Sequence, residues 1–331
     1  MTHAPLSAAG AGIGRSGRVA LWLRGARAAV APVLAVVAAL LAIWYLACIP
    51  MNAAQSALDA ERAGAALSTD AATRRGMSGL AVALAHPGPA LAGAYAQERP
   101  RLPAPHQVAA ELWDSTVGKK VTSKRSLVFH AGITLAPTLL GFAIGSALGI
   151  ALAVGIVHSR VMDLSVMPWA IASQTIPILA IAPMIIVVLN SVGVQGLLPK
   201  AIISAYLSFF PVTVGMVKGL RAPSPADLDL MRTWNASGLR TLASLRLPAS
   251  LPYLFASLKI AVAAALIGAI IGELPTGAVR GLGARLLAGS YYGQTIQIWS
   301  ALFGAAIVAA GLVAAIALLE RVTLRRMGLT R

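Results

Sequence analysis

The longest uncharged stretches of the chain set the first constraint on its fold. Neither the run from Ser126 to Ser159 nor the residues between Asp163 and Lys200 contain Asp, Glu, Lys or Arg. A helix needs roughly 20 mostly apolar residues to cross a bilayer, and both runs exceed that length. Only 11% of all residues are charged, whereas soluble domains carry about 25%. We therefore expect lipid to surround most of this protein.

The apolar segments predict an all-α polytopic membrane protein with about six transmembrane helices. A signal peptide is the alternative for the first segment, but its apolar core is longer than the roughly 7–15 residues typical of one, which favours a retained span. The predicted spans are Ala28–Ile49, Ala131–Val157, Ser165–Leu189, Leu197–Val217, Leu251–Gly272 and Ile296–Leu319.

Basic residues predict the orientation of these spans. The net charge is +16, and the positive charges cluster before the first span, at Arg160, between Lys218 and Arg246, and from Arg321 onward. Lys and Arg in short loops mark the cytoplasmic side, so both termini are expected there, next to lipid headgroups. The chain lacks a basic stripe interleaved with aromatic residues, and nucleic acid is not expected as a partner.

The segments between the spans follow from this topology. A mildly apolar stretch, Met77–Ala96, is the alternative for a seventh span, but His86-Pro-Gly-Pro89 at its centre would leave backbone groups unpaired in lipid. The predicted organisation is a cytoplasmic tail at 1–27, the first span at 28–49, an extracytoplasmic loop at 50–125 that is partly disordered and has a short helix near 106–115, a core of five spans at 126–320 with a cytoplasmic loop at 221–250, and a cytoplasmic tail at 321–331.

Two rows of glycine lie within the spans. Gly141, Gly145 and Gly149 recur every four residues, and Gly268 and Gly272 repeat this spacing once. Small residues at this spacing share one helix face and let another backbone approach closely. We expect ordinary helix packing, and tight packing around a moving solute pathway is the alternative.

The third predicted span is interrupted by Pro168, Pro177 and Pro183. Proline kinks a helix, and kinked helices at membrane depth often line a cavity. Gln174 and Thr175 lie beside Pro177, so these three residues are candidates for the solute pathway. The alternative is that their side chains bond to neighbouring helices.

Lys259 and Glu273 pose a geometric problem in the fifth span. They lie about 21 Å apart along a helix, less than the roughly 30 Å hydrocarbon core. Lys259 can extend towards the cytoplasm along its long stem. We expect Glu273 to face a hydrated vestibule or a cation such as Arg280 or Arg285, as a candidate gate or pathway residue. An interfacial carboxylate without a role is the alternative.

The polar loop between the fourth and fifth spans predicts a docking element. Asp227–Thr233 and Leu239–Leu245 are typical of short helices, and Trp234–Gly238 separates them. Asn235 tolerates the left-handed conformation that reverses a chain between helices. Two short helices that project from a membrane body would fit a groove on a soluble partner.

This loop resembles the EAA loop of permease subunits of type I ABC importers. That loop has EAA, three residues, Gly, nine residues, a hydrophobic residue, any residue and Leu-Pro. Asp229-Leu-Met-Arg-Thr-Trp-Asn235, nine residues and then Leu245-Arg-Leu-Pro248 match this spacing. Asp229-Leu-Met231 replaces EAA, and Asn235 replaces the glycine. The coupling residues that the resemblance implies are Asp229, Leu230, Met231, Arg232, Trp234, Asn235, Gly238, Leu239, Leu245, Leu247 and Pro248.

Further motifs resemble the nitrate/sulfonate/taurine branch of these permeases, and the resemblance covers about residues 100–320. The motifs are Leu102-Pro-Ala-Pro105, Ser173-Gln-Thr-Ile-Pro-Ile-Leu-Ala-Ile-Ala-Pro183, Phe209-Phe-Pro211, Leu247-Pro-Ala-Ser-Leu-Pro252, Gly272-Glu273 and Gly281-Leu-Gly283.

The resemblance implies a set of partners. Two permease copies in a bacterial inner membrane would form one pathway, with two copies of a cytoplasmic ATPase on their loops and a periplasmic solute-binding protein outside.

The chain has no GxxxxGK[ST] phosphate-binding loop, metal cluster or catalytic set. We therefore expect no cofactor and no enzymatic activity in this chain.

Other functions stay open at this point. An ion-gradient-driven secondary transporter and a membrane-anchored assembly protein are the rivals. Related permeases carry nitrate, sulfonates, taurine, or pyrimidine and riboflavin-like vitamin precursors. The predicted spans contain no arginine to pair with an anion, which favours a neutral or weakly charged heterocycle.

Overall fold

A computed structural model describes residues 15–275 and 278–328, with side chains from residue 30 onward. The ends of both predicted cytoplasmic tails, 1–14 and 329–331, lie outside the described residues. The chain divides into two compact units, Met1–Pro105 and His106–Arg331.

The first unit is built on one very long helix. Helix α1 (Arg15–Arg62) is followed by three short helices, α2 (Ala71–Gly76), α3 (Gly79–Ala85) and α4 (Pro87–Gly93). Helix α1 extends 13 residues past the end of the predicted span at Ile49, about 20 Å at the usual helical rise. The segment beyond 49, for which the sequence predicts partial disorder, therefore begins as a helix.

Asn52 fixes the rest of this segment to α1. Its Nδ2 donates to the carbonyl oxygens of Ala94 and Leu102, each at 2.9 Å, and its Oδ1 accepts from the Leu102 amide at 3.1 Å. A fully buried side-chain amide is stable only when its polar atoms are paired in this way. From the sequence, the Ala-rich composition of the segment after residue 49 predicts partial disorder. In the structure, its small alanine side chains let α3 and α4 pack closely on α1.

The second unit contains ten further α-helices among its described residues. These are α5 (Pro105–Trp113), α6 (Leu127–His158), α7 (Arg160–Ser173), α8 (Ile178–Ser191), α9 (Leu197–Leu220), α10 (Pro225–Thr233), α11 (Gly238–Thr241), α12 (Leu247–Glu273), α13 (Leu282–Tyr291) and α14 (Thr295–Arg326). Two π-helical turns, Asp114–Gly118 and Leu242–Arg246, extend α5 and α11.

The described residues include five helices that are long and apolar enough to cross a membrane, or six if α7 and α8 together form one crossing. This confirms the predicted all-α fold with several spans. The third predicted span, Ser165–Leu189, is not one continuous helix, because α7 and α8 meet at 98°. Proline removes a backbone donor and disfavours helical geometry in the residue before it, so Pro177 explains the position of the break.

The structure does not form a seventh span at Met77–Ala96. Helices α3 and α4 within this stretch have seven residues each, or about 10 Å per helix. That is much less than the thickness of a hydrocarbon core.

Helix α9 lies between α6 and α12, and glycines allow both approaches. A Cβ atom at Gly145 of α6 would lie 2.8 Å from the Ala205 carbonyl oxygen, and one at Gly268 of α12 would lie 2.7 Å from the Ser204 Cα. Larger residues would force the backbones apart. The glycine rows therefore serve helix packing, as predicted.

Candidate functional site

Helix α10 opens the loop between α9 and α12 with a capping box. The Ser224 hydroxyl accepts from the Asp227 amide at 3.2 Å, and the Asp227 carboxylate accepts from the Ser224 amide at 3.2 Å. Pro225 occupies the first helical turn, where no amide donor is needed. These contacts satisfy the free amides of the first turn, so a nine-residue helix forms at this exposed position.

Asn235 ends α10 in the left-handed conformation. Its φ is +48°, and it is the one non-glycine residue with positive φ in the described part of the chain. The Asn235 amide donates to the Arg232 carbonyl at 2.8 Å, and the Ala236 amide donates to the Met231 carbonyl at 3.0 Å. This geometry is the one that glycine usually supplies at a helix end. The predicted chain reversal is confirmed, and it explains why Asn can stand in place of Gly.

The second half of the loop is continuous with a membrane helix. The Ser237 hydroxyl caps α11 by accepting from the Arg240 amide at 3.3 Å. Helix α11 then passes through the π-helical turn Leu242–Arg246 directly into α12, which begins at Leu247. Residues 238–273 therefore form one continuous helical segment.

Large apolar side chains are exposed on this otherwise polar loop. Trp234 is 69% and Leu239 is 79% exposed, and Leu230 is also exposed. Arg232 is exposed beside them and pairs with Asp229 at 2.8 Å. Tryptophan and arginine are the residue types that most often dominate the energy of protein interfaces. The loop thus has the composition of a protein-docking surface.

Polar contacts fix the base of the loop to the membrane helices. The Arg246 guanidinium donates to the Leu220 carbonyl at the end of α9, at 3.2 Å. Arg221 pairs with Asp163 of α7 at 2.8 Å. The loop is therefore in polar contact with α7 and α9 as well as being continuous with α12.

The break between α7 and α8 carries the predicted polar residues. The Gln174 amide donates to the Ser173 hydroxyl at 3.2 Å, and the Thr175 hydroxyl donates to the Ala172 carbonyl at 2.8 Å. The Tyr206 hydroxyl of α9 donates to the Ser173 carbonyl. The backbone oxygens that the break frees are thus partly satisfied by nearby side chains. The role of Tyr206 is not predictable from the sequence, since a tyrosine within an apolar span gives no local signal of a distant partner.

Glu273 lies at the other end of α12 and is fully buried. Its carboxylate accepts from the Thr134 hydroxyl at 2.8 Å and from the Gly283 amide at 2.7 Å. Thr134 also accepts from the Leu282 amide at 2.9 Å, and the His130 Nδ1 accepts from the Gly281 amide at 3.0 Å. We call Glu273, Thr134 and His130, with the amides of residues 281–283, the Glu273 cluster.

The Glu273 cluster differs from the expectation of a carboxylate in a hydrated vestibule. The carboxylate is buried and holds the first turn of α13, where backbone amides and the helix dipole favour negative charge. Arg285 instead pairs with Glu111 at 3.8 Å, and Arg280 lies over the Phe129 ring at 6.0 Å. A sequence signal for the partners exists, because His130, Thr134 and Thr138 recur every four residues and so share one face of α6.

Lys259 also has a protein partner. Its Nζ lies 2.5 Å from the Glu320 carboxylate of α14. Extension of the Lys259 side chain towards the cytoplasm stays a prediction, and the ion pair provides a second way to stabilise its charge within a span.

Taken together, the spans, the broken α7–α8 pair and the exposed loop define a class of protein. They describe a polytopic membrane protein with an exposed loop whose composition suits protein docking. Residues 145–328 match the family of binding-protein-dependent transport system inner membrane components, and the chain belongs to this family.

Several curated proteins are similar to this chain. A Haemophilus influenzae protein described as an ABC transporter permease is 36% identical over 55% of this chain and 69% of its own length. The formylaminopyrimidine transport permease protein ThiX of Halalkalibacterium halodurans is 33% identical over 55% of this chain and 68% of its own length. The riboflavin transport system permease protein RibX of Chloroflexus aurantiacus is 30% identical over 68% of this chain and 80% of its own length.

Family membership confirms the general function predicted from the sequence. The chain is the multi-pass inner-membrane permease subunit of a binding-protein-dependent ABC importer. ATP hydrolysis resides in a separate ATPase subunit, and a solute-binding protein is a further partner.

Proposed function

We propose that two copies of this chain form one solute pathway and that each copy docks its loop, residues 229–248, on one of two ATPase subunits. The continuity of α11 with α12 carries this proposal, because it gives the ATPase a direct mechanical connection to a membrane helix. Closure of the ATPase dimer on ATP would displace both loops, and the spans would then alternate between inward-open and outward-open states.

The topology that fits this proposal has both termini in the cytoplasm. It requires that the bent α7–α8 pair counts as one crossing, since an even number of spans returns the chain to the side where it began. Under that count the exposed loop and the basic residues Arg321, Arg325 and Arg326 lie on the same side. This agrees with the distribution of basic residues at span ends.

Exposure and position support solute-pathway roles for the remaining candidate residues. Thr175 and Pro177 are exposed at the break between α7 and α8, beside Gln174. A broken helix at membrane depth is tolerated where it lines a protein cavity or water. Glu273 would act as a gate indirectly, by holding α13 against α6 and α12.

The solute that we propose is a neutral or weakly charged heterocycle. The relatives named for formylaminopyrimidine and riboflavin are 33% and 30% identical to this chain, whereas a nitrate import permease protein of Leptolyngbya laminosa is 25% identical. The absence of arginine from the predicted spans also favours a heterocycle over an anion such as nitrate. Calorimetric titration of the partner binding protein with a pyrimidine, a flavin, taurine and nitrate tests the proposal, and tight binding of nitrate or taurine alone would refute it.

The docking role of the loop is tested by Trp234→Ala, Leu239→Ala and Arg232→Glu. Each alters an exposed side chain of the loop and leaves the packed spans unchanged, so folding should persist while ATPase co-purification and uptake fall together. Trp113→Ala is the matched control, since Trp113 is similarly exposed but lies on α5. Normal co-purification and uptake in all three loop variants would refute the docking role of the loop.

A further inference from the structure

Helices α3 and α4 expose an apolar face. Leu80 is 59%, Leu84 is 74% and Leu91 is 52% exposed. The sequence from Met77 to Gln97 contains no Asp, Glu, Lys or Arg. A surface segment in water normally carries charged residues, so this face is suited to an apolar environment.

The exposed leucines are continuous with the surface of the first span. Together with Leu46, Ile49 and Pro50 of α1 they line one open groove of about 310 Å³. Leu46 is itself exposed and lies in the last turn of the apolar segment that crosses the membrane. The apolar face of α3 and α4 thus begins where the lipid-facing surface of α1 ends.

The charged residues of this unit lie outside the groove that the exposed leucines line. Asp59 and Arg62 are exposed and paired with each other, and Arg74 pairs with Glu61. Asp59 lies ten residues beyond Ile49, or about 15 Å along the helix axis. The groove at the end of the span is therefore lined by apolar residues alone, and the Asp59–Arg62 ion pair lies farther from the span.

A separate core holds α3 and α4 in this position. Val82, Ala83 and Ala90 pack against Ala53 and Ala57 of α1. Because the inner faces of the two short helices fill this core, the leucines on their outer faces have no place in it.

The turn between α3 and α4 has its polar side chain satisfied internally. His86 is buried, and its Nε2 lies 2.7 Å from the Thr69 hydroxyl. The turn can therefore rest at the boundary of the hydrocarbon region without an unpaired imidazole.

We propose that α3 and α4 lie in the membrane interface as a lipid-contacting pair, with Leu80, Leu84 and Leu91 among the acyl chains of the leaflet at the C-terminal end of the first span. This placement accounts for the apolar character of Met77–Ala96 without a seventh crossing. It is independent of the direction in which the chain is inserted and of the solute that is carried.

The test measures lipid contact at single positions in the full-length protein. The one cysteine of the chain is first removed by Cys48→Ala. A single new cysteine, Leu84→Cys or Leu91→Cys, is then labelled with an environment-sensitive fluorophore. The protein is reconstituted in phosphatidylcholine vesicles with or without a lipid that carries a nitroxide quencher near the headgroup. We expect blue-shifted emission and loss of intensity at both positions. The control variant Asp59→Cys should show water-like emission without quenching.

Two results would overturn the proposal. Water-like emission at residues 84 and 91 would mean that the face is solvated. Blue-shifted emission that the lipid quencher does not reduce would mean that a protein surface covers the face. Leu80→Cys provides a third reporter position, and an unchanged gel-filtration profile of each labelled variant shows that the fold has been retained.

Discussion

The Thr134 hydroxyl donates a 2.8 Å hydrogen bond to the Glu273 carboxylate, although 139 positions separate the two residues. Both side chains are fully buried. Since Thr134 also accepts from the Leu282 amide at 2.9 Å, one hydroxyl joins α6, α12 and the first turn of α13. The ends of these three helices are therefore held in a single arrangement by a small number of polar atoms.

Loss of the Thr134 hydroxyl should loosen this arrangement. Thr134→Val keeps the shape of the side chain but leaves the Leu282 amide and one carboxylate oxygen with fewer partners. Because unsatisfied buried groups cost about 1–3 kcal/mol, we expect a lower thermal unfolding midpoint in detergent and slower uptake. Thr134→Ser, which retains the hydroxyl, is the control. Equal midpoints for the valine variant and the wild type would show that the bond contributes nothing.

The packing of α12 on α9 should not tolerate a methyl group at Gly268. The new Cβ would lie 2.7 Å from the Ser204 Cα, and neither backbone can yield without moving its helix. Overpacking of this kind costs about 1–3 kcal/mol. Gly311→Ala on α14 is the matched control, because open space surrounds that position. Similar unfolding midpoints for both alanine variants would contradict the close approach of the two helices.

Asn235 should tolerate glycine but not valine. The left-handed conformation costs roughly 1–2 kcal/mol for ordinary side chains, and a β-branched side chain fits it poorly. Asn235→Gly is therefore expected to bind the ATPase as the wild type does, and Asn235→Val to bind it more weakly. Titration of detergent-solubilised permease with the ATPase subunit measures both affinities. Wild-type affinity in the valine variant would mean that this chain reversal does not position the docking helices.

The Lys259–Glu320 ion pair predicts coupled effects of substitution. Removal of one partner leaves the other charge partly buried without compensation, whereas removal of both does not. We expect Lys259→Met and Glu320→Gln each to lower the stability. The loss in the double variant should be smaller than the sum of the two single losses, by a coupling energy of about 0.5–3 kcal/mol. Denaturant unfolding of the four proteins measures it, and additive effects would indicate that each charge is stabilised separately.

The sequence predicts those features of the fold that depend on local composition. Apolar length identifies the spans, glycine spacing identifies the faces of α6 and α12 that pack on α9, and Asn235 marks the chain reversal in the loop. Each of these signals lies within a few residues of the structure that it specifies.

Features that depend on distant partners were not predictable in this way. Prolines indicate a kink in the third span, but the 98° angle is accompanied by a contact from Tyr206 to the freed Ser173 carbonyl. The burial of Glu273 depends on Thr134, and the folding of the segment after residue 50 depends on the contacts of Asn52 with Ala94 and Leu102. Composition alone contains no information on these pairings.

Uptake in proteoliposomes tests the central claim most directly. The permease is reconstituted with and without its ATPase subunit, and the binding protein loaded with radiolabelled solute is added outside. We predict uptake only when the ATPase and ATP are both present, and none in the Trp234→Ala variant. Uptake by the permease alone, driven by a proton or sodium gradient, would contradict the assignment of this chain as the membrane subunit of an ATP-driven importer.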